Sequence, residues 1–309
     1  MNTLKVVFMG TPDFAVPSLE ILLKNKIDVV AVVTAPDKPQ GRGQKIQFSP
    51  VKESALKNGI PVLQPTNLKH PEFLSKLEET GANLQIVVAF RMLPEVVWSK
   101  PAFGTFNLHA SLLPQYRGAA PINWAIMNGE PETGVTTFFL RHQIDTGNII
   151  FQEKEPISDS DNAGMLHDRL MIRGAELVLK TVKAIETGQC QAIPQIEHEE
   201  LKHAPKIFKE TCEINWAQPA VKVRNFIRGL SPHPGAWTSI HDRVYKIFDG
   251  EILSLEEEAT PELEPGKFKT DNRDYLWFKT NDGLLSVTRL QPEGKKAMNV
   301  KDFFRGNRL

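Results

Sequence analysis

Two short runs of uninterrupted apolar residues, Val6-Val7-Phe8-Met9 and Val29-Val30-Ala31-Val32-Val33, constrain the fold most strongly. A strand with one face in water alternates apolar and polar side chains, whereas a strand that is apolar throughout must be covered on both faces. The first run stops at Gly10 and is followed by Phe14, Val16, Leu19, Leu22 and Leu23, whose spacing gives one apolar helical face. Further strands are expected at Leu84–Ala89, Thr105–Leu108, Val135–Leu140 and Ile149–Gln152, and a long helix at Met165–Ile185. Strands alternating with helices predict an α/β fold with a mostly parallel sheet covered on both sides.

The texture changes after Gly188. Residues from Ala192 to Lys209 carry prolines, charges and histidines without periodicity and read as a linker. Beyond it, a helix over Pro219–Leu230 precedes short alternating segments at Ala236–Ile240, Val244–Asp249, Tyr275–Lys279 and Leu284–Leu290, a pattern that suits a small β-barrel. A chain of 309 residues also exceeds what one core usually serves. The expected organisation is a catalytic domain over residues 1–189, a linker over 190–208 and a C-terminal domain over 209–309.

Composition excludes several classes. Cys190 and Cys212 have no CxxC partner spacing, which argues against a disulfide framework or a zinc site and suits a reducing cytoplasm. No His/Cys/Asp/Glu cluster has metal-ligand spacing, so no metal is expected. The N-terminus lacks the apolar run of a signal peptide, and no stretch approaches the ~20 apolar residues of a membrane helix. The formal net charge is zero, so any RNA contact has to rest on local patches.

The chemistry concentrates in Phe106-Asn107-Leu108-His109-Ala110-Ser111-Leu112-Leu113-Pro114-Gln115-Tyr116-Arg117-Gly118. Residues two apart on a strand share a face, so Asn107 and His109 project together at a strand's C-terminal end, where open α/β sheets place their sites. Asp145-Thr146-Gly147 forms a tight loop between two later strands, which strand pairing can return beside His109. Attack of an amine on a formyl carbon passes through a tetrahedral oxyanion. An asparagine amide donates to such an oxygen, a histidine titrates near neutrality, and a nearby carboxylate orients the ring or serves as base through water. Each residue alone is more often structural; the joint pattern carries the reading.

That string, followed by Asp145-Thr-Gly147, resembles the signature of the folate-dependent formyltransferases. The resemblance implies that Asn107, His109 and Asp145 are the catalytic trio and that Ser111, Leu112, Leu113 and Pro114 line the site of 10-formyltetrahydrofolate, the formyl donor. Four more segments, Phe8–Pro17, Pro36–Gly43, Ala119–Ile122 and Leu230–Trp237, are similar to the branch that formylates initiator methionyl-tRNA. This branch implies a Rossmann-like N-terminal domain and an oligonucleotide-binding (OB)-like C-terminal barrel that binds tRNA. It also implies that Phe14 helps form a methionine pocket and that Arg42 inserts at the tRNA acceptor end. By itself Phe14 reads as packing for the first helix. By itself the Asp37–Ser49 loop reads first as a plain surface loop and second as an RNA clamp with Arg42 or Lys45 on phosphates, and the resemblance reverses that order. The expected partners are folate and initiator methionyl-tRNA, without a membrane, and the expected state is a monomer.

The chain departs from that pattern at Arg91, where many relatives carry glycine near the folate pocket, and at Arg141 and His142 ahead of Asp145. The C-terminal stretch holds six basic residues (Arg289, Lys295, Lys296, Lys301, Arg305 and Arg308) around Phe303 and Phe304, which are expected to seal the barrel rather than stack on bases. Within the same chemistry the alternatives are a formyltransferase for nucleotide-linked amino sugars and a formyl-folate hydrolase. A basic, glycine-containing loop is not required by a small sugar nucleotide. A dinucleotide-binding reading is weak because GxGxxG is absent.

Overall fold

The computed structural model describes residues 3–40, 45–196, 200–253 and 263–309. By contacts the chain forms two compact units, one of Met1–Gly118, Thr133–Glu155 and His167–Lys202, the other of Ala119–Glu132, Pro156–Leu166 and His203–Leu309. The division passes through the expected linker at Lys202, and it groups two earlier stretches with the second unit.

The first unit is built on a seven-stranded sheet. Its strands are β1 (Lys5–Gly10), β2 (Asp28–Val33), β3 (Val62–Leu63), β4 (Leu84–Val88), β5 (Thr105–His109), β6 (Glu132–Phe139) and β7 (Ile149–Pro156). The spatial order is β7-β6-β5-β4-β1-β2-β3, with β1 to β5 parallel and β6 antiparallel to β5. Val6 to Met9 are wholly buried, as their unbroken apolar run requires. The chain winds one way from β1 through β3 and then restarts at β4 on the other side of β1. Sheets of this Rossmann-like kind open a crevice at such a switch point, beyond the carboxyl ends of the strands.

Helix α1 (Val16–Lys24) follows β1 through a 3-10 turn over Asp13–Ala15. Two helices that periodicity did not announce, α2 (Pro50–Lys57) and α3 (Pro71–Glu79), cover the sheet farther on. Their apolar faces are narrow, because α3 buries only Phe73 and Leu77. The signals were at the starts: the Ser49 hydroxyl caps the Lys52 N–H at 3.1 Å, and both helices open on proline.

The long helix after β7, Ala163–Glu186, lies against the site strand β5. Gly174 permits this approach: a Cβ there would stand 2.7 Å from Leu108 Cδ2. Thr137 and Thr181 share a buried 2.8 Å hydrogen bond, and the buried Glu155 carboxylate accepts from Arg169 and Arg173 at 2.7 Å each. Polar pairs therefore clamp the helix to the strands that carry the site.

In the second unit the helices Pro121–Met127 and Ala220–Gly229 pack together, with Asn123 Nδ2 donating to the Gly229 carbonyl at 2.7 Å. Its strands, β8 (Ala236–Ile240), β9 (Arg243–Ile252), β10 (Phe268–Thr270), β11 (Leu276–Lys279) and β12 (Leu284–Pro292), form a curled antiparallel sheet in the order β8-β9-β12-β11-β10. The strand spacing led to the expectation of a small β-barrel here and the family resemblance to that of an OB-like one, and the sheet is antiparallel and curled. Trp216 stacks on Phe278 at 4.2 Å in its core, and Phe303 and Phe304 are buried there, so they seal the sheet. The six basic residues from Arg289 to Arg308 are all exposed.

Candidate active site

Strand β5 ends at His109, and its neighbours fix which way the strand end faces. Asn107 pairs in register with Val87 of β4 and Phe138 of β6, and His109 with Thr136. Asn107 is half-buried, and its side-chain amide has no hydrogen-bond partner among the described residues. His109 is buried, with its Nε2 2.8 Å from the carbonyl oxygen of Tyr116. A carbonyl only accepts, so Nε2 carries the proton of that bond. The other ring nitrogen, Nδ1, lies 3.9 Å from Asp145 Oδ2. That separation is an ion-pair distance for the protonated ring and too long for a direct hydrogen bond.

The turn after β5 is internally braced. Ser111 is wholly buried, and its hydroxyl donates to the Gln115 carbonyl at 2.6 Å. Thr136 Oγ1 donates to the Ser111 carbonyl at 2.6 Å and accepts from the Leu113 N–H at 3.2 Å. Leu113 packs with Phe138 and Ile149, while Leu112 and Pro114 are half-buried. These four residues therefore give the turn its shape, with Ser111 and Leu113 turned into the protein. Tyr116, at φ 60°, is held by the Lys202 carbonyl at 2.6 Å.

Asp145 sits in the loop between β6 and β7. Its Oδ2 accepts from the Gly118 N–H at 3.0 Å. Gly147 lets the loop close, since a Cβ there would stand 1.6 Å from the Phe139 carbonyl oxygen. Seven non-glycine residues have positive φ among the described residues, and three of them gather here: Ala89 at the end of β4, Tyr116 and Asp145. Backbone held in such sparsely populated conformations clusters at functional sites. A cleft of about 500 Å³ adjoins the loop, lined by Trp98, Arg117, Arg141, His142, Gln143, Thr146 and Gln195.

The departures noted in the sequence have local partners. Arg91 donates to the carbonyls of Thr66, at 2.9 Å, and of Pro65, and burial lowers its pKa. His142 pairs with Glu95 at 3.2 Å and meets Trp98 edge-on. Phe14 is buried beneath the first turn with its ring edge-to-face on His167 at 5.2 Å. Within Asp37–Ser49, Lys38–Gln40 pairs antiparallel with Lys45–Gln47 as the two arms of a small hairpin. Arg42 lies outside the described residues, and of Lys45 only the backbone is described. Sequence reasoning missed the Tyr116 carbonyl, the Gly118 N–H and Gln195, because backbone groups and a lone amide in an aperiodic stretch carry no pattern. Among the described residues no group of three or more His, Cys, Asp or Glu could hold a metal ion, and no helix is long and apolar enough to cross a membrane.

Comparison with known proteins adds to this geometry. The formyl transferase family matches residues 4–182, and the formyl transferase C-terminal domain matches residues 206–308. A methionyl-tRNA formyltransferase of Bacteroides fragilis is 54% identical over 314 aligned positions, covering 99% of this chain and 96% of that protein. Among solved structures, the sugar 3N-formyl transferase WlaRD is similar at a TM-score of 0.67 and 23% identity, over 96% of this chain and 100% of that one. HypX from Aquifex aeolicus in complex with tetrahydrofolic acid is similar at a TM-score of 0.64 and 19% identity, over 99% of this chain and 48% of that one. The chain therefore belongs to the formyl transferase family, in the branch of the methionyl-tRNA formyltransferases.

Proposed function

We propose that this enzyme transfers the formyl group of 10-formyltetrahydrofolate to the α-amine of methionine on initiator methionyl-tRNA, as a cytoplasmic monomer, with Asn107, His109 and Asp145 at the reacting atoms. One observation carries the residue assignment. His109 commits Nε2 to a carbonyl, leaving Nδ1 toward the Asp145 carboxylate, on the same strand face as an asparagine amide without a partner among the described residues. The residues present fit the donor. The cleft beside Asp145 is large enough for a ligand of that size, with the Trp98 ring and the cationic Arg117 and Arg141 at its walls. The Ser111–Pro114 turn would shape the inner edge of that site.

The donor supplies the formyl group when bound; the chain's residues handle charge and protons. The Asn107 amide donates to the formyl oxygen as negative charge develops on it. His109 Nδ1 takes the proton that the amine loses and returns it to the departing nitrogen. Asp145 stabilises the imidazolium formed between those steps. Arg42 and Lys45 would contact tRNA phosphates, and Phe14 would border the methionine side chain. The exposed basic residues of the second unit would add salt-sensitive, sequence-independent affinity.

The test is formyl transfer from 10-formyltetrahydrofolate to charged initiator methionyl-tRNA, run beside elongator methionyl-tRNA and a nucleotide-linked amino sugar, with Arg42→Ala alongside the unmodified enzyme. Initiator-selective transfer, with tRNA use weakened and folate binding intact in Arg42→Ala, is the expected result. Transfer to the sugar alone would overturn the choice of acceptor while leaving the chemistry in place.

A further inference from the structure

We propose that Gln195, in a stretch that reads as linker, is a positioning residue for Asp145. The inference rests on the reading of Asp145 and His109 given above. Gln195 Nε2 donates to the Asp145 carbonyl and to the Gly147 carbonyl, each at 2.8 Å. Its Oε1 accepts from Arg117 Nε at 3.1 Å and from a terminal guanidinium nitrogen at 2.6 Å. Arginine has no acceptor, so these bonds fix which end of the amide faces which partner. The donor end must face the loop.

The backbone explains how the side chain arrives there. Ile149 and Ile193 exchange both backbone hydrogen bonds, at 2.8 and 2.9 Å, as an antiparallel bridge. Two residues farther along that register, Gln195 comes opposite Gly147. The Gln195 side chain takes over, bonding carbonyls on both sides of Thr146. The loop needs such a tie, because Arg141, His142, Gln143 and Ile144 are exposed and Asp145 holds φ 56°. The carboxylate is thus aimed at His109 by Gly118 from one side and by Gln195, through the main chain, from the other.

Two substitutions separate donation from occupancy. Gln195→Met keeps the length and loses all four bonds. Gln195→Glu keeps the acceptor for Arg117 and sets a carboxylate oxygen against two carbonyls. Both variants are expected to lower kcat for formyl transfer to methionyl-tRNA on the order of tenfold to a hundredfold, the scale on which misplacing a catalytic group acts. The melting temperature should hold, and any rise in KM for the folate reports the release of Arg117 from the cleft wall, separately from the fall in kcat. In an Asp145→Asn background, Gln195→Met should cost no more than about a further twofold, because the two residues act as one unit. Full kcat in either Gln195 variant would overturn the proposal, as would a loss that multiplies in full onto that of Asp145→Asn or one that tracks a lowered melting temperature. Full activity in Asp145→Asn itself would instead sink the catalytic reading of Asp145, and this proposal with it.

Discussion

Two loops carry the functional reading, and they are held in different ways. The loop bearing Asp145 is tied through its main chain by the half-buried Gln195 amide and by a glycine with no room for a Cβ. The hairpin flanking Arg42 is tied at its base by side-chain charge: Asp37 accepts from Lys52 at 2.5 Å and from Gln64 at 2.8 Å. A backbone tie fixes atomic positions and is indifferent to salt. A side-chain ion pair near solvent fixes them loosely and weakens as ions screen it. That contrast suits a reacting carboxylate, which needs precise placement, and a loop that would meet a large polyanion.

The comparison breaks first at the chemistry. Asn107→Ala should lower kcat by about 10²–10³, the cost of removing one oxyanion donor, and His109→Ala by at least as much. Melting temperatures should barely move for Asn107→Ala, whose amide has no partner to lose among the described residues. Stopped-assay turnover beside calorimetry checks both quantities, and unchanged turnover would remove the residue from the mechanism.

Gly147→Ala sharpens the comparison one level down. A methyl group 1.6 Å from the Phe139 carbonyl forces the loop off its backbone tie. Destabilisation of about 1–3 kcal/mol, the usual cost of overpacking, should appear in thermal melts together with reduced kcat. Retained stability and turnover would mean the loop shifts freely and that its backbone tie is unimportant.

The smallest effect is expected at the hairpin base. Hydrogen bonds from Lys52 and then Gln64 hold the Asp37 carboxyl below its ordinary pKa. A depressed carboxylate contributes stability above its unfolded pKa and loses it as pH falls through the folded value. Asp37→Asn should therefore raise KM for methionyl-tRNA modestly at neutral pH and leave kcat alone. The difference from the unmodified enzyme should fade in acid. A fall in kcat instead would mean that this hairpin reaches the reacting atoms.

β1 and β2 were legible because a covered parallel sheet demands unbroken apolar runs, and they lie within a residue of those runs; β4 and β5, interrupted by Gln85 and Asn107, still lie within a residue of the strands expected there. The helices α2 and α3 were not, since each buries too few residues to leave a periodic stripe. At the site, Asn107 and His109 could be paired from their spacing on one strand. The partners that orient His109 and Asp145 could not, because they are the Tyr116 carbonyl for the first and the Gly118 N–H and an amide 50 residues farther along for the second.

By itself, then, the sequence determined the covered parallel sheet, the second element of one helix and short antiparallel strands, and the residue types that formyl transfer requires, since hydrophobic periodicity and side-chain chemistry are local properties. Only the tertiary structure decided which nitrogen of His109 meets a carbonyl, which faces Asp145, and what aims Asp145 at it. Those depend on hydrogen bonds between segments far apart in the chain, and a carbonyl or a lone glutamine reveals its partner only once the fold has brought the two together.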